Sequence, residues 1–90
     1  MNKSDLVSAI ADNSGLSNVD AARALEATTI AISGALASGD SVTITGFGSF
    51  LVRARAARTG RNPQTGAAIQ ISASNAPAFK AGKLLKESVN

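Results

Sequence analysis

The stretch Arg58-Thr-Gly-Arg-Asn-Pro-Gln-Thr-Gly66 lies in the middle of residues 53–75, the segment around which the chain is organised. This region contains four arginines with no acidic residue between them: Arg53, Arg55, Arg58 and Arg61. Residues 68–73 then alternate isoleucine with polar or small residues. A period of two is typical of a β-strand, so we predict a β-hairpin arm with a basic face.

A tight turn is expected at the tip of this arm. Proline presets φ for a turn position, asparagine caps a turn with its own side chain, and glycine tolerates a positive φ. The residues concerned are Pro63, Asn62 and Gly66. A hairpin folded about Gln64 places Arg55 roughly opposite Ala73. The arm offers little apolar surface, so we expect it to lie outside the core and to be mobile until it meets a partner.

The chain has few large apolar side chains from which to build a core. It has 90 residues and 44% hydrophobic content, but only three Phe and neither Trp nor Tyr. One domain is expected for this length. With the arm outside the core, few residues remain for independent stability, and we predict an oligomer that shares one core.

Charge is divided unequally along the chain. The net charge is +3, yet residues 1–52 contain five acidic and two basic side chains. Residues 53–90 contain seven basic side chains and one acidic side chain, Glu87. A segregated basic surface favours a polyanionic partner, with nucleic acid first and an anionic membrane second.

The chain lacks the residues most used in catalysis and metal binding. It has no Cys and no His, so thiolate and imidazole ligands, disulfides and the usual general base are absent. The glycines of residues 46–48 and 60–66 fit neither a dinucleotide fingerprint nor a phosphate loop. We expect no enzyme activity, cofactor or metal. Without an apolar signal or spanning run, we expect a cytoplasmic protein with no membrane contact.

Residues 1–40 are predicted to form a helical hairpin that serves as core and dimer scaffold. Asn2 or Ser4 is expected to cap a first helix that ends at residues 13–15. Ser17 is expected to open a second helix, which Gly39 and the following residue end.

Residues 41–79 are predicted to form an antiparallel three-stranded sheet that extends into the arm, residues 53–75. Two strands, 42–44 and 50–52, are joined by a tight glycine turn. We expect Phe47 and Phe50 to fill the core and not to be exposed for base stacking. Because Pro77 cannot donate to a ladder, we expect the chain to leave the sheet there.

A short terminal helix is predicted within residues 80–90. Three lysines fall at i, i+3 and i+6 and are expected along one side of it: Lys80, Lys83 and Lys86. Beside the basic arm, phosphate contacts are the favoured use of these lysines over a merely solvated face. The predicted fold class is α+β, as one domain over residues 1–90.

These residues resemble the bacterial histone-like HU proteins and their relative, integration host factor, over essentially the full length. The motifs concerned are Met1-Asn-Lys-Ser-Asp-Leu6, Gly46-Phe-Gly-Ser-Phe50, residues 58–66 and Ala76-Pro-Ala-Phe-Lys-Ala-Gly-Lys83. The tip motif with the upstream Gly-Phe-Gly-x-Phe is highly specific to this family. The tip and the Pro-Ala-Phe-Lys segment look more like HU than like either host-factor subunit.

The resemblance implies an intertwined dimer, homomeric or heteromeric, whose two β-arms enter the minor groove of DNA. It implies that Pro63 is inserted between base pairs at each arm tip, a mechanism known from this family itself. The implied DNA-binding residues are Lys3, Arg53, Arg55, Arg58, Arg61, Asn62, Pro63, Gln64, Thr65, Lys80, Lys83 and Lys86. It also implies a nucleoid-associated location, and RNA is a further candidate partner.

A non-enzymatic architectural protein that bends duplex DNA with little sequence preference and compacts the nucleoid is therefore our leading hypothesis. The alternative within this class is site-specific bending, in the manner of integration host factor. A second class is a protein-interaction module whose arm pairs with a partner strand. A hydrolytic enzyme ranks third, because no nucleophile has an evident base.

Overall fold

The computed structural model describes all residues, 1–90, as three helices and five strands. They are α1 Lys3–Ser14, α2 Asn18–Ala37, β1 Val42–Ile44, β2 Gly48–Arg55, β3 Arg58–Arg61, β4 Ala68–Ile71, β5 Ser74–Ala81 and α3 Lys83–Ser88. The chain divides into two compact units, Met1–Ala35 and Leu36–Asn90, which are described in turn. None of the helices has both the length and the apolar character needed to cross a membrane.

Side chains and a glycine define both ends of α1. The Asn2 side chain accepts a hydrogen bond from the Asp5 N–H at 2.9 Å, and the Asp5 carboxylate accepts one from the Asn2 N–H at 3.1 Å. This reciprocal pair is a capping box. At the other end Gly15 adopts a left-handed φ of +77° and donates to the Ala11 carbonyl at 3.0 Å. The predicted start at Asn2 is confirmed, and the alternative cap Ser4 lies inside the helix.

The second helix has the predicted ends as well. The Ser17 hydroxyl accepts a hydrogen bond from the Asp20 N–H at 3.1 Å, which satisfies one of the free donors of the first turn. After the helix, Gly39 adopts φ +84° and donates to the Leu36 carbonyl at 3.0 Å. Ala21 in the first turn of α2 is the only fully buried hydrophobic side chain of the chain.

The second unit is built on an antiparallel sheet with the strand order β1-β2-β5. Phe50 of β2 lies opposite Val42 of β1 and Phe79 of β5. The ring of Phe79 packs against Phe50 at a centroid distance of 4.8 Å and against Phe47 at 5.5 Å. Both pairs are tilted, which is a favourable geometry for aromatic rings. All three phenylalanines therefore belong to one cluster on the sheet, and none lies on the arm.

Backbone hydrogen bonds hold the start of α3 against the turn between β1 and β2. Phe47 donates to the Ile44 carbonyl at 3.0 Å and closes the turn. Gly82 donates to the Phe47 carbonyl at 2.7 Å, and Leu85 donates to the Gly46 carbonyl at 3.2 Å. A Cβ atom at Gly82 would lie 2.7 Å from the Gly46 carbonyl oxygen. Only glycine at position 82 leaves enough room for the backbones to approach this closely.

The predicted exit from the sheet at Pro77 is wrong. Strand β5 continues through Pro77, which lies opposite Val52, and ends at Ala81. The physical reason is that β5 is an edge strand, where a proline without an N–H is tolerated. The helix consequently starts at Lys83, three residues later than the predicted Lys80. The α+β architecture is otherwise confirmed: two N-terminal helices, a three-stranded antiparallel sheet, a hairpin arm and a short C-terminal helix.

We expect Gly82→Ala to lower the free energy of unfolding by about 1–3 kcal/mol, because the added methyl group overlaps the backbone of Gly46 and Phe47. Thermal denaturation followed by circular dichroism measures this. The control is Gln70→Ala on the exposed arm, which adds no atom to a close contact and should leave the unfolding temperature unchanged. A Gly82→Ala protein as stable as the wild type would contradict the close backbone contact.

Candidate nucleic-acid interface

The tip of the arm is ordered by hydrogen bonds within its own few residues. The Asn62 side-chain oxygen accepts from the Gln64 N–H at 2.9 Å, and the Asn62 carbonyl accepts from the Gly66 N–H at 2.7 Å. The Asn62 N–H donates to the Ala67 carbonyl at 2.9 Å. Gly66 has φ +71°, as the turn chemistry predicts. The loop therefore has a defined local structure that depends on no contact from elsewhere in the chain.

Pro63 is the first residue of the four-residue tip and is exposed to solvent. Its neighbours Gln64 and Thr65 are exposed as well, and the Thr65 hydroxyl accepts from the Ala67 N–H at 3.3 Å. The pyrrolidine ring is apolar and its φ is fixed. The arm thus presents a small rigid apolar group surrounded by polar side chains.

The cross-strand register of the arm differs by one residue from the prediction. The observed pairs are Arg53–Ala76, Arg55–Ser74, Arg58–Ile71 and Arg61–Ala68. Arg55 therefore lies opposite Ser74, not Ala73. The reason is the length of the loop: residues 63–66 form an even-numbered tip, so the centre of the hairpin falls between Gln64 and Thr65 instead of on Gln64.

This register divides the arm into two different faces, because side chains alternate along a strand and paired residues share a side. We call one the polar arm face; its polar members among the paired residues are Arg53, Arg55, Thr59, Arg61, Gln70 and Ser74. The other is the isoleucine face: Ala54, Gly60, Ile69, Ile71 and Asn75, together with Arg58. Residues 56–57 and 72–73 lie between the two ladders and belong to neither. Three of the four arginines thus share the predicted basic face, and Arg58 does not. Sequence reasoning also missed Thr59 and Gln70, which the cross-strand register alone identifies.

The arginines of the arm have no acidic partner. All four are exposed, and the ion pairs of the structure lie elsewhere. One joins Arg23 to Asp20 within α2, and the other joins Lys83 to Glu87 within α3, each at 4.0 Å. The guanidinium groups of the arm are therefore free to donate paired hydrogen bonds to phosphate or carboxylate groups of another molecule.

The four lysines predicted to bind DNA occupy three different elements. Lys3 is the first residue of α1, and Lys83 and Lys86 belong to α3. Lys80 lies in β5 opposite Ser49, so the prediction that three lysines follow one side of a helix is wrong for it. The cause is again the continuation of β5 beyond Pro77. All four lysines are exposed.

Comparisons with known proteins identify the family. The family model described as bacterial DNA-binding protein matches residues 1–90. The chain is 56% identical to DNA-binding protein HU-beta of Pseudomonas aeruginosa over the whole of both chains, and 58% identical to DNA-binding protein HU of Pasteurella multocida over 99% of each. Among solved structures, an Anabaena HU–DNA cocrystal structure matches with a TM-score of 0.92 and 47% identity, over 99% of this chain and 97% of that one. The chain therefore belongs to the bacterial DNA-binding protein family, and within it to the HU proteins.

Proposed function

We propose that this HU-family chain is a non-enzymatic architectural protein that binds duplex DNA with little sequence preference, bends it and compacts the nucleoid in the cytoplasm. The observation that supports this best is the arm, where four exposed arginines without acidic partners lead to an exposed proline. The chain also lacks His and Cys, the usual general base and nucleophile. The names of its relatives, and the DNA in the Anabaena cocrystal, support the same ligand.

Phosphate contacts supply most of the affinity in this proposal. Guanidinium groups match phosphate geometry, and each phosphate neutralised by a protein cation releases condensed counterions into solution. The arm arginines are not paired within the chain. Binding to DNA therefore breaks no ion pair within the arm. The affinity for DNA should fall steeply as the salt concentration rises.

The minor groove is the site that fits both the arm and the proposed lack of sequence preference. The protein has no helix that presents base-reading side chains beside a basic patch, and the minor groove itself offers a degenerate pattern of donors and acceptors. Arginine is suited to the minor groove because the electrostatic potential of the groove is strongly negative where the groove is narrow. The polar side chains beside the tip, Asn62, Gln64 and Thr65, provide further contacts in this arrangement.

Bending is assigned to Pro63. The ring is apolar, rigid and exposed at the end of the arm, and its position is fixed by the hydrogen bonds of the loop. Inserting such a group between base pairs costs a few kcal/mol of unstacking, as described for the family, and added backbone contacts along the bent duplex offset that cost. The lysines that would hold the flanking backbone are Lys3, Lys80, Lys83 and Lys86.

A second copy of the chain completes the core in this proposal. Only Ala21 is fully buried, while Phe47 and Phe79 of the aromatic cluster remain 45% and 42% exposed. On α2, Val19 and Ile30 are 70% and 63% exposed. A stable protein of this size does not leave its only aromatic cluster so open to water. A dimer that covers these residues also provides the two arms needed to hold a duplex from both sides.

We expect Arg61→Ala to weaken binding to a random-sequence duplex and to lower the slope of log affinity against log salt by about 0.9 for each phosphate that the variant no longer neutralises. Fluorescence anisotropy across a salt series measures both quantities. Arg23→Ala is the control, since it removes the same charge from α2, where the residue is already paired with Asp20. Equal salt slopes for all three proteins would contradict phosphate binding by Arg61.

We expect Pro63→Ala to reduce the bend of a saturated duplex while most of the affinity remains, because it removes the inserted ring and no charge. End-to-end energy transfer on a doubly labelled duplex measures the bend. Pro77→Ala makes the same chemical change in β5 and should leave the bend unchanged. If the Pro63→Ala protein bends saturated DNA as strongly as the wild type, the assignment of the wedge is wrong.

We expect the unfolding temperature to rise with protein concentration, because folding and dimerisation are coupled. Sedimentation equilibrium should give the mass of a dimer. Phe47→Asp should produce unfolded or monomeric chains, whereas Ile69→Asp, at a residue on the arm with a similar exposure of 42%, should leave the dimer intact. A folded, monomeric wild type with a concentration-independent melting temperature would contradict the shared core.

A further inference from the structure

We infer that the outer edge of β2 at the base of the arm, residues 52–55, is a docking site for an extended acidic strand of another protein. Such a strand adds to the sheet beyond β1 by antiparallel backbone pairing. It also competes with DNA for Arg53 and Arg55. This competition rests on the proposed DNA binding, whereas the pairing itself does not. We call residues 52–55 the open edge.

The hydrogen bonds of the sheet determine which backbone groups of β2 face outward. Next to the first pair of the β2–β5 ladder, the Gly82 N–H donates to the Phe47 carbonyl at 2.7 Å. In an antiparallel ladder, successive residues of a strand direct their backbone groups alternately to its two sides. The odd-numbered residues of β2 therefore bond to β5. The N–H and carbonyl groups of Val52 and Ala54 consequently point away from β5.

No strand of the chain covers these outward groups. Strand β1 begins at Val42, which lies opposite Phe50 of β2. Upstream of β1, Asp40 and Ser41 lie outside the sheet, and the Ser41 N–H donates to the Asp40 carboxylate at 2.8 Å. Beyond Phe50, β2 therefore has a neighbouring strand on one side only, and residues 53–55 are exposed.

The opposite edge of the sheet is closed to such pairing. This edge belongs to β5, where Pro77 lies opposite Val52. Because the two residues of such a pair both direct their backbone groups outward, Pro77 stands where an added strand needs an N–H donor, and proline has none. Proline on an edge strand protects a sheet against pairing with other chains. The open edge contains no proline, so the sheet accepts an added strand on one side only.

The side chains of the open edge select the chemistry of its occupant. Arg53 and Arg55 share one face of β2, and Ala54 lies between them on the other face. Neither arginine has an acidic partner, and strands β1, β2 and β5 contain no acidic residue that would repel an anion. Side chains of an added strand lie directly beside these three residues. The strand should therefore carry acidic residues two positions apart, with an apolar or β-branched residue between them that packs beside Ala54.

A second copy of the chain cannot supply this strand. Its two acidic residues that are closest in sequence, Asp20 and Glu26, are six positions apart, and both lie in α2. The occupant is therefore an acidic segment of a different protein. It makes backbone hydrogen bonds to the open edge and charge-assisted hydrogen bonds to both arginines.

Binding of the acidic strand is expected to weaken DNA binding at the base of the arm. A guanidinium group whose paired donors hold a carboxylate is not available to a phosphate at the same time. Arg58 and Arg61 lie beyond the open edge and stay free. Affinity for DNA therefore falls without being abolished, and the salt slope falls by about 0.9 for each phosphate that Arg53 and Arg55 no longer neutralise.

Fluorescence anisotropy of a labelled peptide tests the open edge on the full-length protein. The probe is a short capped peptide that alternates glutamate with valine or threonine. One comparison peptide is N-methylated at the valine and threonine amides, which face the open edge when the glutamates lie beside the arginines. The other is N-methylated at the same number of glutamate amides, which then face solvent. We expect the first to bind about tenfold more weakly than the probe, because it lacks the pairing donors, and the second to bind like the probe.

Variants of the protein test the same edge from the other side. Ala54→Pro removes the outward N–H without removing a bond of the β2–β5 ladder, and we expect about tenfold weaker binding of the probe. Ala54→Val retains the N–H and is the control, which should bind the probe like the wild type. Circular dichroism checks that both variants fold. If Ala54→Pro does not fold, the two methylated peptides on the wild-type protein decide the question.

Three outcomes would overturn the inference. Absence of probe binding at low salt would exclude the docking site. Equal binding of all three peptides would show attraction between charges without strand pairing. A probe that binds yet leaves the affinity for a random-sequence duplex unchanged would exclude the competition. Failure of the proposed function is distinct from all three, since the wild type would then bind no duplex even when no peptide is present.

Discussion

The antiparallel pairing of β2 with β5 is the interaction on which the rest of this structure depends. The register begins with Gly48 opposite Ala81, and the same offset between partners recurs in β3 and β4 beyond the unpaired residues 56–57 and 72–73. Because side chains alternate between the two faces of a strand, this register determines both the composition of the aromatic cluster and that of the polar arm face. The arginines of β2 and the rings of Phe50 and Phe79 thus lie on opposite sides of the same pair of strands.

The second constraint is the small amount of apolar surface that one chain can cover. Glycine allows the closest approaches in the sheet unit: a Cβ atom at Gly48 would lie 2.5 Å from the Phe79 ring. Even so, the ring of Phe79 is left partly open to water. A chain that uses about a quarter of its length for an exposed arm has few side chains left for a core of its own, which is why the proposed function includes a second copy.

Local chemistry made much of the fold predictable from the sequence. The caps at Asn2 and Ser17, the glycine that ends α2 and the turn at the arm tip all depend on residues close together in the chain. The continuation of β5 through Pro77 was not predictable, because it depends on β5 having a neighbour on one side only. The cross-strand partners in the arm depend on whether the loop has an odd or even number of residues, which is why Arg55 lies opposite Ser74 and not Ala73. The site residues named from the family resemblance remain proposals for this chain.

The continuous register also limits how the length of the arm can change. Insertion or deletion of one residue in a single strand would exchange its two faces beyond that point and place Ile69 or Ile71 where polar side chains now lie. Matched changes in both strands avoid misalignment, but a change of one residue in each would turn the tip over relative to the sheet. Only steps of two residue pairs, about 7 Å, preserve both the faces and the orientation of the loop. The distance from the sheet to Pro63 is therefore restricted to discrete values, so arm length cannot be adjusted gradually during divergence or redesign.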